Sequence, residues 1–424
     1  MQSVRAGARL SMGAEEECGD CVMEIYIHIP FCQRKCAYCD FLSFPADADM
    51  QKKYVKAVLT EIRDFPHDPP AGVSSIYIGG GTPSYIYADA IGEILHTVRE
   101  CFAVDGDAEI SMEANPGTVT ADRLALYRQA GVNRLSFGCQ SADPAELKEL
   151  GRIHTWEQFQ ESFRLARQMG FTNINVDLMS GIPGQTLESW EKSLRLVAEM
   201  EPEHISAYSL ILEEGTPFYK KYAEQRTILD TGVTQAEMVE KIRKRHRSEE
   251  DSANPGDTVW LPDEETERRM YERTAEILSG YGFRQYEISN YAREGYACRH
   301  NIGYWTGVPY VGIGLGASSY MGRMRYRNTA DMNQYCRDCS LGRKWQALTD
   351  KDMMAEFMIL GLRLTDGVSE DDFYHHFGKK VDLVYGDVIR HYTELGLLEK
   401  NRGRIRLTRR GISLSNTVMA DFLP

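Results

Sequence analysis

The sequence predicts an α/β protein, a partial TIM-like (β/α)6 barrel followed by a C-terminal winged-helix-like domain. Between residues 23 and 225, short runs rich in β-branched residues alternate with amphipathic stretches, which is typical of βα units around a parallel sheet. The predicted strands are residues 24–28, 74–78, 108–112, 133–137, 173–178 and 204–210. The predicted helices are residues 51–63, 88–101, 121–130, 156–169 and 187–200. Because a closed barrel of this type has about eight strands, we expect an open one.

Polar or glycine-rich residues follow the predicted strands, at the end where a parallel barrel gathers its active site. A cysteine-rich loop follows the first strand, and the run Gly79-Gly-Gly-Thr82 follows the second. The other four strands end, in chain order, at or near Glu113, Gln140, Asp177 and Tyr208. Glycine has no Cβ, so the glycine run lets the backbone approach a ligand closely. We therefore expect one functional site at the carboxyl ends of the strands.

The remaining segments differ in composition. Residues 1–22 are polar and glycine-rich, so we expect a disordered tail or a misassigned start, with translation beginning at Met23. Residues 226–258 form a basic and then acidic block without apolar periodicity, which predicts a mobile insertion. Residues 259–348 are expected to associate with the barrel. Residues 349–424 predict three helices, a hairpin at Asn401-Arg-Gly403 and a last helix, the order of a winged helix.

The composition argues against several classes of protein. The 424 residues include 62 acidic and 49 basic side chains, for a net charge of −13. This charge disfavours broad nucleic-acid binding, even though the predicted hairpin carries Arg402, Arg404 and Arg406. No apolar run is long enough for a transmembrane segment, and residues 1–22 lack the apolar core of a signal peptide. Without a secretory context, the ten cysteines do not suggest disulfides. We expect a reduced, cytoplasmic protein with no nucleic-acid partner.

Three cysteines carry the strongest chemical signal. Cys32, Cys36 and Cys39 form a C-x3-C-x2-C pattern, so three thiolates can converge on one face of a loop. A [4Fe-4S] cluster is normally held by four cysteines, and neither Asp40 nor Phe41 supplies a fourth. One iron would therefore keep an open position, where a small molecule can bind. The alternative is a structural zinc ion, but no second cysteine pair clearly completes a tetrahedral set.

This loop resembles that of the radical S-adenosylmethionine (SAM) superfamily, whose clusters bind SAM at the open iron. The flanking runs Tyr26-Ile-His-Ile-Pro-Phe-Cys32 and Cys39-Asp-Phe41 are similar to the branch that contains oxygen-independent coproporphyrinogen III dehydrogenase and the HemW heme chaperones. The resemblance, from about Glu24 to the C-terminus, implies a radical SAM barrel. It also implies that Tyr38 covers the cluster and contacts SAM. The other residues that it implies in SAM binding are Tyr26, Gly80, Gly81, Thr82, Glu113, Gln140, Arg152 and Asp177.

A second motif concerns heme. The run His300-Asn-Ile-Gly-Tyr-Trp305 resembles the H-N-x-x-Y-W motif of the heme chaperones. The resemblance implies that His300 ligates heme iron, with Tyr304 and Trp305 beside the porphyrin, because imidazole suits iron and aromatic rings suit a porphyrin plane. The alternative interpretation is a satisfied structural histidine. Two further cysteine pairs, Cys18/Cys21 and Cys336/Cys339, are expected to be surface thiols.

Three functions follow from these resemblances. The first is a heme chaperone that binds heme and a SAM-ligated [4Fe-4S] cluster and transfers heme to acceptor hemoproteins, including respiratory ones at the membrane. The second is the dehydrogenase, which oxidatively decarboxylates coproporphyrinogen III in porphyrin biosynthesis. The third is another porphyrin-directed radical SAM enzyme.

The resemblance to the dehydrogenase fails at Phe41, where that enzyme has a further cysteine, and in the short segment before the loop. We therefore expect the chaperone rather than coproporphyrinogen oxidation. The sequence leaves open whether SAM is cleaved and whether the chain forms a homodimer.

Overall fold

A computed structural model describes residues 22–66, 72–246 and 259–424. Its centre is a barrel of parallel strands that overlap all the predicted ones. These strands are β1 (Val22–Ile29), β2 (Gly72–Gly80), β3 (Ala103–Ala114), β4 (Arg134–Gln140), β5 (Ile174–Ser180) and β6 (His204–Ser209). Each pairs with the next along the chain. In β1, Ile25, Ile27 and Ile29 are fully buried in the main apolar core. The alternate residues of the strand point to the other face, which leaves polar side chains for the barrel interior.

Helices connect the strands, and the five predicted helices are confirmed. These connections are α1 (Ala48–Asp64), α2 (Asp89–Cys101), α3 (Ala121–Ala130), α4 (Pro144–Glu149), α5 (Trp156–Gln168) and α6 (Leu187–Ala198). Thr155 and Thr186 begin α5 and α6 with reciprocal capping boxes, which satisfy backbone N–H groups at the helix starts. The short helix α4 was not predicted, although Asp143 caps it and Pro144 occupies its first turn, both typical of a helix start.

The chain after β6 adds strands at both edges of the sheet. Its helices are α7 (Pro217–Leu229), α8 (Gln235–His246), α9 (Glu264–Gly280), α10 (Arg299–Thr306) and α11 (Met332–Arg337). Its strands are β7 (Arg284–Gln285), β8 (Asn290–Ala292), β9 (Tyr310–Ile313), β10 (Ser318–Met321), β11 (Met324–Arg327) and β12 (Lys344–Ala347). Strand β9 pairs in parallel with β1, and β8 pairs antiparallel with β6. The parallel sheet therefore contains a seventh strand, which the pattern up to residue 225 did not reveal.

Two expectations about this region need correction. Part of the segment predicted as a mobile insertion is the regular helix α8, where Met238 and Ile242 are buried. Their spacing of four residues makes one apolar helix face, which the surrounding charges obscured in the sequence. Cys339 is also buried, because it and Cys336 pack against the main core rather than forming a pair of surface thiols. Residues 247–258, and residues 1–21 with Cys18 and Cys21, lie outside the described residues.

The C-terminal region has its own apolar core, which includes Phe373, Leu398 and Ile405. Its helices are α12 (Asp350–Gly361), α13 (Glu370–Phe377), α14 (Val381–Glu394), α15 (Arg409–Ser413) and α16 (Ser415–Ala420). Its strands are β13 (Val368–Ser369), β14 (Leu398–Asn401) and β15 (Arg404–Leu407). The predicted hairpin is confirmed as β14 and β15, and β13 extends it to three strands. No helix in the described part of the chain could cross a lipid bilayer.

Candidate functional site

A cavity of about 520 Å³ lies at the carboxyl ends of the barrel strands. This volume is within the usual range of small-molecule sites. Its lining includes most residues that the sequence assigned to the cluster and to SAM: Cys32, Cys36, Tyr38, Cys39, Gly80, Gly81, Thr82, Glu113, Gln140, Arg152 and Asp177. The structure therefore brings these side chains, which come from separate βα units, to one place. Tyr26 is not part of the lining.

The cysteine loop is closed at its base by the backbone. Cys32 N donates to Phe44 O at 3.2 Å, and Phe44 N donates to Pro30 O at 2.9 Å. Within the loop, Cys39 N donates to Cys36 O at 3.3 Å. These bonds hold a short loop at the end of β1, so that its three thiols face the same cavity.

The three thiols fit a [4Fe-4S] cluster. All are free, and burial raises the pKa of Cys39, with the neighbouring Cys36 and Cys32 contributing in the same direction. In the part of the chain that the structure describes, no three His, Cys, Asp or Glu side chains converge closely enough to hold a single metal ion. In a [4Fe-4S] cluster, each thiolate binds a different iron. Bound there, the cluster would supply an electron for cleavage of SAM.

Gly80 is required by the packing of this loop. Its φ is +112°, and a Cβ at this position would lie 2.3 Å from His28 Cε1. The His28 ring lies with Nε2 2.9 Å from Leu42 O, just after the cysteines, and Nδ1 3.0 Å from the hydroxyl of Tyr26. Tyr26 thus supports the cysteine loop through His28 and does not line the cavity itself.

Two carboxyl groups face the cavity. Glu113 accepts hydrogen bonds from Gly80 N at 3.0 Å and from the Tyr77 hydroxyl at 3.1 Å. Burial and the nearby Asp177 carboxylate raise the pKa of Glu113 to about 7, and burial also raises the pKa of Asp177. Because a nearby cation favours the ionised form of both groups, the pair suits a ligand with an ammonium or sulfonium group. SAM carries both.

Gln140 adopts a conformation that is rare for a residue with a side chain. Its φ is +70°, in the left-handed region, which costs an L-residue about 1–2 kcal/mol. Its side-chain oxygen accepts a hydrogen bond from the Tyr208 hydroxyl at 2.8 Å, and both residues line the cavity. Backbone strain of this kind is often retained at binding sites. Tyr208 was placed at a strand end by the sequence but given no role; here it holds Gln140.

The ring of the predicted heme ligand, His300, stacks on that of Tyr77, which lines the cavity, with centroids 5.2 Å apart. His300 is 1% exposed, and its Nδ1 is 2.8 Å from Ser75 Oγ and 3.6 Å from Glu24 Oε2. Glu24 and Ser75 lie in the amino-terminal halves of β1 and β2, whereas the cysteine loop and Gly80 lie at their carboxyl ends. His300 therefore does not contact the cysteine loop, but it touches the cavity lining through Tyr77.

Tyr304 and Trp305, the other two predicted heme residues, make different contacts. The rings of His300 and Tyr304 are in contact, with centroids 4.7 Å apart, whereas Arg363 lies over the ring of Trp305 at 4.3 Å. None of these three predicted heme residues lines the cavity, but Asn301 does. Asn301 and Asn115, which also lines it, were not assigned to the site from the sequence, although Asn301 lies within the His300–Trp305 motif and Asn115 follows Glu113 by two residues.

Comparisons with known proteins concern the fold and the two domains. Residues 26–197 match the family model of the radical SAM superfamily, and residues 348–414 match that of the HemN C-terminal domain. The solved structure of coproporphyrinogen III oxidase (HemN) from Escherichia coli is similar with a TM-score of 0.73 and 24% sequence identity. That similarity covers 95% of this chain and 89% of the other, and at this identity it shows the shared fold.

Curated relatives identify the family. The heme chaperone HemW of Bacillus subtilis is 33% identical over 404 residues, which cover 94% of this chain and 98% of the relative. The heme chaperone HemW of Escherichia coli is 33% identical over 410 residues, which cover 95% of this chain and 98% of the relative. The chain therefore belongs to the HemW family of the radical SAM superfamily.

Proposed function

We propose that this protein is a cytoplasmic heme chaperone. It binds heme, carries a [4Fe-4S] cluster with SAM at the open iron, and transfers heme to acceptor hemoproteins, including respiratory ones at the membrane. The relatives named heme chaperone HemW support this proposal because they match nearly the whole chain. The observation in the structure that carries it is the state of His300 in the H-N-x-x-Y-W motif.

His300 has the properties of an iron ligand. Its Nε2 is buried and has no hydrogen-bond partner among the residues that the structure describes. A buried polar atom left without a partner costs about 1–3 kcal/mol, and iron ligation would satisfy it. Burial and the nearby Arg134 guanidinium lower the pKa of His300 to about 3. The imidazole is therefore neutral at physiological pH, which is the form that binds metals.

Access to His300 requires movement of α10. The helix packs tightly against β1, since a Cβ at Gly303 would lie 2.1 Å from Glu24 Oε1. The Ser75 hydroxyl holds the imidazole on the side of β2. We infer that α10 separates from these strands when heme binds His300.

Phe41 disfavours the dehydrogenase alternative. Its side chain is 65% exposed and lines the cavity at the position where the dehydrogenase-like loop has a further cysteine. A phenyl ring cannot bind iron or supply a thiol. The chain thus departs from the dehydrogenase pattern beside its cluster loop.

Replacement of His300 by Ala tests the ligand. We expect the Soret band of the heme-loaded protein to shift or bleach, while [4Fe-4S] absorption and SAM affinity remain, because the two sites use different residues. His96→Ala is the control for adventitious heme binding, since this histidine lies exposed on α2. Loss of the cluster together with heme would instead assign His300 a structural role. An unchanged Soret band in the His300→Ala protein would place the heme ligand elsewhere.

A further inference from the structure

The side-chain amide of Asn115 connects the groups that contact two of the cluster cysteines. Asn115 Nδ2 donates to Thr82 Oγ1 at 2.7 Å, and the Thr82 hydroxyl donates to Cys32 Sγ at 3.5 Å. On its other side, Asn115 Oδ1 accepts from Arg152 Nη2 at 2.8 Å, and Arg152 Nη1 donates to Cys36 Sγ at 3.5 Å. One amide therefore lies between two donors, each of which reaches a different cysteine sulfur.

The backbone of Asn115 is fixed independently of this amide. Asn115 follows β3 directly, and its N–H donates to Ser84 Oγ at 3.2 Å. Its carbonyl oxygen accepts from the Thr118 hydroxyl at 2.7 Å and from Thr118 N at 3.1 Å. The side chain thus projects from an anchored turn. The orientation of its amide is also determined, because a guanidinium can only donate and must face the amide oxygen.

The amide controls where both donors point. A threonine hydroxyl has one proton, and when Asn115 donates to its oxygen that proton is left for Cys32 Sγ. Arg152 Nη2 is held by Asn115 Oδ1 and by Gly138 O at 2.7 Å, which leaves Nη1 directed at Cys36 Sγ. Without Asn115, the hydroxyl could rotate away from Cys32 and the guanidinium would lose one of its two anchors.

Hydrogen bonds to cysteine sulfurs raise the reduction potential of an iron–sulfur cluster, because they stabilise the added negative charge of the reduced state. A guanidinium contributes its full positive charge as well. We propose that Asn115 is a positioning residue that raises the potential of the [4Fe-4S] cluster by directing Thr82 and Arg152 at the sulfurs of Cys32 and Cys36. This inference rests on the cluster assignment within the proposed function and is independent of heme transfer.

The test is a redox titration followed by electron paramagnetic resonance on the anaerobically reconstituted full chain without SAM or heme. We expect Asn115→Ala to lower the equilibrium constant for one-electron reduction about tenfold, which corresponds to about 59 mV. Thr82→Val should also lower the potential. The double variant should shift it by less than the sum of the two, because both changes break the same contact with Cys32.

Asn133→Ala is the matched control. Asn133 also makes two side-chain hydrogen bonds to β3, to Ile110 N and Ala108 O, but at the end of the strand away from the cysteines. The cluster in the Asn133→Ala protein should have the same reduction potential as in the wild type. Iron and sulfide are measured on every variant, to show that each titrated protein carries a complete cluster.

Two results would overturn the proposal: an unchanged potential in Asn115→Ala at full cluster content, or strictly additive shifts in the double variant. If the Ala protein does not assemble the cluster, Asn115→Leu takes its place. This variant is neutral and of similar shape, but it can neither donate to Thr82 nor accept from Arg152. It must show a lower potential than the wild type, and an equal potential would refute the role of Asn115. Failure of heme binding in the wild type would leave all these outcomes unaffected.

Discussion

Replacement of Cys36 by Ala is expected to yield a folded protein without [4Fe-4S] absorption and without any spectral response to SAM. Three thiolates face the cavity, and the loop supplies no fourth ligand, so each one is needed to hold the cluster. Cys32→Ala and Cys39→Ala should have the same effect. Iron and sulfide analysis after anaerobic reconstitution measures the outcome.

Cys101→Ala is the control for this loss. Cys101 is a free, half-buried thiol at the end of α2, and it does not line the cavity. This variant should retain the full cluster and its response to SAM. Persistence of iron and sulfide in the Cys36→Ala protein would exclude the three-cysteine site.

Replacement of Glu113 by Ala is expected to weaken SAM binding by about 10- to 150-fold. This range corresponds to the roughly 1.5–3 kcal/mol of a lost hydrogen bond to a charged group. The substitution also removes the acceptor of Gly80 N, which helps to shape the glycine run. Isothermal calorimetry on the reconstituted protein measures the affinity. An unchanged SAM affinity would exclude this site.

The raised pKa of Glu113 predicts that the affinity for SAM depends on pH. Since its pKa is raised to about 7, Glu113 is mostly ionised at pH 8 and about one-tenth ionised at pH 6. Only the ionised form attracts the ammonium of SAM, so we expect the wild-type affinity to fall about tenfold between pH 8 and pH 6. Asp177, whose pKa is also raised, acts in the same direction. Glu113→Gln keeps the shape of the side chain and the acceptor for Gly80 N. In this variant, most of the change in SAM affinity between pH 8 and pH 6 should disappear.

The sequence was sufficient to predict the barrel and to bring eleven of the twelve residues assigned to the cluster and SAM to one cavity. Short β-branched runs that alternate with amphipathic stretches predicted the strands, and the carboxyl ends of parallel strands lie together by topology. Cys32, Gly80, Glu113 and Asp177 could therefore be assigned to one site although they are far apart in the chain. The seventh parallel strand, β9, was not recognised because it has only four residues and follows a region without βα alternation.

Other features depend on side-chain geometry that spacing does not encode. The motif around His300 was identified, but its burial against Ser75 and Glu24 was not. The sequence placed Glu113, two residues before Asn115, at a strand end. The sequence could not show that the amide of Asn115 reaches Thr82 and Arg152, since this depends on how three separate loops meet.

The central claim is that the protein binds heme and does not convert coproporphyrinogen III. The most direct measurement reconstitutes the cluster anaerobically and divides one preparation between two assays. One part is titrated with heme, and the other is incubated with coproporphyrinogen III, SAM and a reductant. We predict a saturable Soret band in the first and no release of carbon dioxide in the second. Robust decarboxylation to protoporphyrinogen IX, with no saturable heme binding, would contradict the account and favour the dehydrogenase.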